Sequence, residues 1–174
     1  MGCTYNPKRY PPERRHTLTK TKIVTGERVG KQAALRPGSS AVIFDDTGKK
    51  ILLTRRSDNG QWCLPGGGMD PGESAEEACI REVYEETGLQ VAVVRLIGIY
   101  TSPNFRIDYP DGNRVQGVAL NFEARVVAGN PHTSEETTGF GYFSLEEMAE
   151  MDVVINHKQR IEDAFHPQEA AFIR

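Results

Sequence analysis

Apolar residues in this chain fall mostly in short runs bounded by turn residues, and one stretch carries a clear helical period. Ala41-Val42-Ile43-Phe44 and Ile51-Leu52-Leu53 flank Asp45-Asp46-Thr47-Gly48, a pattern that predicts strand, turn, strand. Trp62-Cys63-Leu64 predicts a short strand entering the loop Pro65-Gly66-Gly67-Gly68. Val91 to Tyr100 and Val115 to Val127 are β-rich, separated by a loop with the turn sequence Tyr109-Pro110-Asp111-Gly112-Asn113. Gly141-Tyr142-Phe143 reads as one more short strand.

Helices are marked by their ends. Ser74 and Glu77 form a capping box, and Gly88 supplies a left-handed stop, so Ser74 to Thr87 is predicted helical. Ser144 and Glu147 repeat the capping box ahead of a short helix, and His157 to Phe165 reads as a terminal helix. Strands with helices between and after them predict an α/β fold, an α/β/α sandwich with a mixed β-sheet. Periodicity alone does not separate it from other mixed folds.

The chain has 174 residues, with 38% hydrophobic and 26% charged, the profile of one globular domain with a sizeable core. Cys3, Cys63 and Cys79 form neither an even framework nor a CxxC pair, so a disulfide scaffold or zinc site is not expected and a cytoplasmic setting is the default. No apolar run is long enough for a membrane span or a signal peptide, and Asn6 stands where myristoylation after Met1-Gly2 would want Ser or Thr. The net charge of −3 is uneven: residues 1–36 carry nine Lys or Arg against Glu13 and Glu27, and the rest is strongly acidic. The expected division is a basic N-terminal extension, 1–36, ordered in part at best, and a compact domain, 37–174. An acidic body suits a bound cation better than a bare polyanion, so nucleic acid is not the expected partner.

On a helical wheel with Glu82 at zero, Glu85 falls at about 300° and Glu86 at about 40°, so three carboxylates share a face. Ile80, Val83, Tyr84 and Thr87 lie opposite and are the expected core contact. Ala75, Ala78 and Cys79 are small and share the carboxylate face, which would let a backbone segment or a ligand approach closely. Like charges at this spacing repel by a few tenths of a kcal/mol, roughly, per pair. Arg81 offsets part of that for Glu85, and a hard cation such as Mg²⁺ would offset the rest. A solvated acidic helix is the alternative for Glu-Val-Tyr-Glu-Glu taken alone.

Gly67, five residues, Glu73, seven residues, then Arg81-Glu82-Val83-Tyr84-Glu85-Glu86-Thr87-Gly88-Leu89 resembles the Nudix box at every defined position. Arg55 to Trp62 also resembles the strand and loop ahead of the box in many bacterial members. The resemblance implies the family's α/β/α sandwich and Mg²⁺, with Mn²⁺ as an alternative. It makes Glu82, Glu85 and Glu86 the metal-binding carboxylates, with the Gly66 carbonyl as a further ligand. Gly67, Glu73 and Gly88 become structural positions. Arg81 counts with Glu82 and Glu85 in the catalytic set, supporting the loop and helix by pairing with Glu73 rather than touching substrate. The implied chemistry is water attack on phosphorus, with a Glu accepting the proton.

That base is Glu82, Glu85 or a residue outside the box. Glu136 and Glu135 are the first candidates outside it, with Glu123 next, and Glu136 is also a candidate for substrate contact. Arg55 and Arg56 point to opposite faces of a strand, so one of them is expected to reach substrate phosphate. Trp62, Tyr100, Phe105, Tyr109 and Tyr142 are candidate stacking partners for a base, and the four histidines show no ligand spacing. The expected substrate is a nucleotide-like small molecule carrying a diphosphate: a nucleoside triphosphate, ADP-ribose or another sugar nucleotide, or a dinucleoside polyphosphate. Alternatives are a nucleotide-sensing module that does not cut and an RNA-directed hydrolase using the basic arm. The resemblance also allows a homodimer.

Overall fold

Two β-sheets lie side by side between helices, and alternation along their strands decides which face meets which helix. The computed structural model describes residues 21–166 and 168–174. Cys3, the Met1-Gly2 start with Asn6, and the first twenty residues of the basic extension lie outside the described residues. In the larger sheet β1 (Lys22–Thr25), β7 (Phe105–Asp108), β8 (Arg114–Gly129), β2 (Ala34–Ile43) and β5 (Gly66–Gly68) follow one another, and β6 (Leu89–Tyr100) pairs with the rest of β8. β2 and β8 run parallel, β6 and β8 antiparallel, and β10 (Phe172–Ile173) adds parallel to β6, so the sheet is mixed. The smaller sheet is antiparallel: β4 (Trp62–Cys63), β3 (Ile51–Arg56), β9 (Thr137–Phe143).

Three α-helices complete the layers: α1 (Ala75–Thr87), α2 (Leu145–Ala149) and α3 (Ile155–Ala164). Ala41 and Ile43 of β2 turn one way, joining Leu52, Val91 and Ala124 against Cys79 and Val83 of α1. Val42 turns the other way, joining Ile51, Leu53 and Ile97 against Ile161 and Ala164 of α3. Each large aliphatic side chain so buried contributes roughly 1.5–3 kcal/mol. The helices are therefore clamped to opposite faces by the period-two pattern, which gives the α/β/α sandwich.

The expected boundary at 36/37 falls inside β2. Its first residues, Ala34 to Pro37, align with Val115 to Val118 of β8, and β1 pairs with β7, so residues of the basic stretch are sheet residues. Pro37 and Gly38 hid this extension. Pro37 is tolerated because its carbonyl, and hence its nitrogen, faces the β5 side, where pairing begins only at Gly38 and Met69 donates to the Pro37 carbonyl at 3.2 Å. Gly66 to Gly68, read as loop, form β5 by pairing with Gly38 to Ser40, and the expected loop between β6 and β8 contains β7.

Behind α3, Asp163 is 3% exposed and fully partnered. It accepts hydrogen bonds from Tyr100 at 2.9 Å, from Gln159 at 3.1 Å and from the Arg174 guanidinium at 3.0 Å. The chain's last described residue thus locks β10 and α3 to β6.

Candidate functional site

α1 begins as its sequence dictates. The Ser74 hydroxyl accepts from the Glu77 amide at 3.2 Å while the Glu77 carboxylate accepts from the Ser74 amide at 2.8 Å. Gly88 ends it with φ 71°, and its N–H donates to the Tyr84 carbonyl, a conformation that strains any residue with a Cβ. The buried arc differs from the expected one. Val83 and Thr87 are buried, but Tyr84 is 51% exposed, while Ala78, Cys79 and Glu86 point inward. The reason is close backbone approach. The Ser39 hydroxyl of β2 donates to the Ala75 carbonyl at 2.8 Å, so the helix seats on its small residues rather than on Tyr84. The carboxylate face is thereby rotated to the rim of the helix–sheet contact.

Gly66 has φ 148°, and a Cβ there would strike the Ser39 carbonyl and the Ser40 backbone. The chain can thus pass tightly under the helix, where a Cβ on Gly67 would lie 2.5 Å from Glu82 Oε1. Arg81 ties this loop down. Its guanidinium donates to the Gly68 carbonyl at 3.0 Å and to Glu73 Oε2 at 2.9 Å, and its Nη1 bridges Glu82 at 2.9 Å and Glu85 at 3.0 Å. The Arg81 side-chain bond, with the Asp70 amide, holds the Glu73 carboxyl down to about 2. One arginine thus fixes the loop, the helix start and two carboxylates at once.

Glu86 sits deeper, 8% exposed. It accepts from the Thr54 hydroxyl at 3.2 Å and from the Gly66 amide, yet burial and then the negative charge of Glu82 push its carboxyl up to about 8. Burial likewise raises Glu82, against the pull of Arg81. The charge of Glu136 acts in the same direction on both, which puts Glu136 within electrostatic reach of the pair. Arg81 supplies positive charge to Glu82 and Glu85, and among the described residues no cationic side chain is bonded to Glu86.

Among the described residues no three His, Cys, Asp or Glu side chains are gathered closely enough to hold a metal ion. Glu82 and Glu85 are turned to Arg81, and Glu86 to Thr54. The donor set nonetheless fits a hard divalent cation: oxygen donors only, with Glu82 and Glu86 both destabilised as anions by burial and Glu86 further by the charge of Glu82. Gly66 meets Glu86 through its N–H.

The remaining candidates are dispersed. Arg56 is held by Asp58 through two bonds of 2.8 and 2.9 Å, but its charge is felt by Glu86, whereas Arg55 is exposed and donates to the Gly60 carbonyl at 3.1 Å. Glu123 aligns with Val42, on the α3 side of the sheet, and pairs with Arg95 at 2.8 Å, away from α1. Glu135 is exposed beside Glu136. Trp62 packs edge-on against Phe143, and Tyr100 is spent on Asp163, so neither ring is free to stack. Phe105 and Tyr109 are half-buried, and Tyr142 lies at the far end of the sheets beside Asp45 and Asp46. Half-buried His157 accepts from the Leu64 amide at 3.1 Å, and desolvation lowers its ring pKa well below the usual histidine value. Thr54 was missed; alternation from Leu52 places this polar residue on the α1 face, which was the available signal. Thr137, whose hydroxyl donates to the Glu86 carbonyl at 2.9 Å, offered none.

Comparisons with known proteins bear on the family and the fold. The sequence profile of the NUDIX domain matches residues 10–164. A putative 8-oxo-dGTP diphosphatase of Bacillus subtilis (strain 168) is 46% identical over 69 residues, which is 40% of this chain and 46% of that protein. An ADP-ribose pyrophosphatase of Methanocaldococcus jannaschii is 32% identical over 117 residues, 66% of this chain and 64% of that one. The chain therefore spans between about half and two thirds of the length of these curated relatives. The crystal structure of an ADP-ribose pyrophosphatase from Streptococcus suis 89-1591 superposes with a TM-score of 0.63, covering 80% of this chain and 97% of that one at 24% identity, a likeness of fold.

Proposed function

The chain belongs to the NUDIX domain family, and from that premise we propose that it is a pyrophosphohydrolase that cuts a diphosphate linkage in a nucleoside diphosphate joined to a further group. The observation that carries this reading is the packing of Glu82 and Glu86 against the Gly66–Gly68 strand: a Cβ on Gly67 would lie 2.5 Å from Glu82 Oε1, and Glu86, 8% exposed, is raised by burial and by the charge of Glu82. At Glu86 a fold selected for stability alone would place an apolar residue.

Mg²⁺ is the proposed cofactor, with Glu82, Glu85, Glu86 and the Gly66 carbonyl as its holders; when bound it supplies charge neutralisation at the phosphate oxygens. The protein's own part is positioning and proton transfer. Arg81 fixes the aim of Glu82 and Glu85, and one of these two takes the proton of the attacking water. Glu136 assists from outside the helix by its charge or by contact with the substrate. Arg56 is the better placed of the two strand arginines to meet phosphate, since its charge reaches Glu86. The substrate class is drawn from the relatives, one named for an oxidised deoxyguanosine triphosphate and one for ADP-ribose.

The test is incubation with a panel of nucleoside triphosphates, sugar nucleotides and dinucleoside polyphosphates, with Mg²⁺ or with chelator, and chromatography of the products. Phosphate-ester products that require the cation are expected. Nucleotides recovered intact with Mg²⁺ would leave a binding module as the better reading.

A further inference from the structure

Glu86 is held at both its main chain and its side chain by the smaller sheet. Its carbonyl, one of those that the last turn of α1 leaves without a partner in the helix, accepts from the Thr137 hydroxyl of β9 at 2.9 Å. Thr137 is itself fixed, because its hydroxyl accepts from the Ser134 amide at 3.0 Å. The Glu86 carboxylate accepts through Oε2 from the Thr54 hydroxyl of β3 at 3.2 Å. β3 and β9 pair from Ile51 with Phe143 to Arg56 with Thr137, so the two hydroxyls ride on one ladder. Glu82 and Glu85, by contrast, are held by Arg81 of their own helix.

Thr54 is sealed from solvent, and among the described residues its hydroxyl has two neighbours, Glu86 Oε2 and Cys63 Sγ, the latter at 3.5 Å. A hydroxyl has one proton to give, and an ionised carboxylate can only accept. With Glu86 ionised, the proton of Thr54 therefore points to Glu86. The Cys63 thiol, pushed up to about 11 chiefly by burial, keeps its own proton and donates it to the Thr54 oxygen. The bonds run one way, from thiol to hydroxyl to carboxylate. Alternation from Leu52 puts Thr54 on the face that packs against α1, where Leu52, Cys79 and Val83 are apolar. A valine would fill that space with the same branched shape and need no partner. What the hydroxyl adds is control of the acid: it fixes the rotation of the Glu86 carboxylate about its last bond, and so the direction of its free lone pairs.

We propose that Thr54 is a positioning residue for Glu86: its hydroxyl stays bonded to Oε2 while a divalent cation is held, and keeps the carboxylate in the orientation that takes the cation. This rests on the reading of the α1 carboxylates as holders of that cation, and it extends the apparatus from α1 and β5 to β3. The smaller sheet, and not the helix alone, then sets the metal affinity. Groups that orient a ligating carboxylate matter by about ten- to a hundredfold in affinity.

The experiment is Mn²⁺ binding by the metal-free full chain, without substrate, followed through the free-ion paramagnetic resonance signal. Thr54→Val should weaken Mn²⁺ by about tenfold, and Thr54→Ser, which keeps the hydroxyl, should stay within about threefold of wild type. Thr54→Ala should match Thr54→Val; the Ser and Ala variants differ only in the hydroxyl and decide the matter should the valine variant not fold. Cys63→Ala disturbs the same spot from its other side but leaves the bond to Glu86, and should stay within about threefold of wild type. In turnover, Thr54→Val should need about tenfold more Mg²⁺ for half-maximal rate and recover most of kcat at saturation, which a misfolded fraction would not do. Wild-type Mn²⁺ affinity in Thr54→Val and Thr54→Ala overturns the proposal. So does a loss in Thr54→Ser or Cys63→Ala as large as that in Thr54→Ala, since packing would then account for it. The cation reading fails separately, when Glu86→Gln binds Mn²⁺ as wild type does; no binding by the wild type overturns both.

Discussion

Glu86 on α1 and Asp163 on α3 are both nearly sealed from solvent, at 8% and 3% exposure, and they are held in opposite ways. Burial disfavours the anion at both. At Asp163 the hydrogen bonds from Arg174, Tyr100 and Gln159 outweigh it, and the carboxyl is held below its usual range. At Glu86 a hydroxyl and one amide do not suffice, with Glu82 adding repulsion, and the carboxyl stands at about 8. A buried acid that brings its own counter-charge serves the fold; on the proposed reading, one left short of counter-charge serves the chemistry. On that reading the two layers of the sandwich divide these duties.

Exchanging the carboxylates should separate the duties experimentally. The largest effect belongs to Glu86→Gln, expected to cut turnover by about a hundredfold or more while leaving thermal stability in chelator equal to or above wild type. A drop in both would mean that Glu86 is a structural acid after all. Asp163→Ala should do the reverse. Leaving Tyr100, Arg174 and Gln159 without their acceptor costs about 2–3 kcal/mol, a Tm lower by roughly 5–10 °C, with activity per folded molecule unchanged.

Acid titration sharpens the contrast. The folded pKa of Asp163 is below its unfolded value of about 3.9, so its contribution is complete above that pH and is lost as pH falls through the folded pKa. Melting curves of wild type and Asp163→Asn should therefore be separated at neutral pH and converge under acid; a constant separation would assign the loss to packing. The smallest effect is expected from Ser74→Ala, which removes one side of the capping box: about 1 kcal/mol, a Tm lower by roughly 2–4 °C, with KM unchanged.

What could be read from the sequence follows the same division. The box was legible because its chemistry demands particular residue types at fixed spacing, and the ends of α1 because Ser74, Glu77 and Gly88 act locally. The phase of α1 was misread through Tyr84: the wheel rewards large apolar residues, whereas the helix is seated by Ala78 and Cys79 against the backbone of β2 and β5. β1, β7 and β10 were hidden because strands this short carry too little alternation to register, and they exist through their partners. Thr54 escaped for a related reason. It lies on a strand far from the box in sequence, and only packing of β3 under α1 brings it to Glu86.

The central claim, that the α1 carboxylates hold a divalent cation, is tested most directly without any substrate. Titration of the metal-free full chain with Mn²⁺, read by the loss of the free-ion paramagnetic resonance signal, should show saturable binding in the wild type. Competition by Mg²⁺ and at least tenfold weaker binding in Glu86→Gln are expected alongside it. Equal binding by wild type and variant, or none by the wild type, would contradict the account.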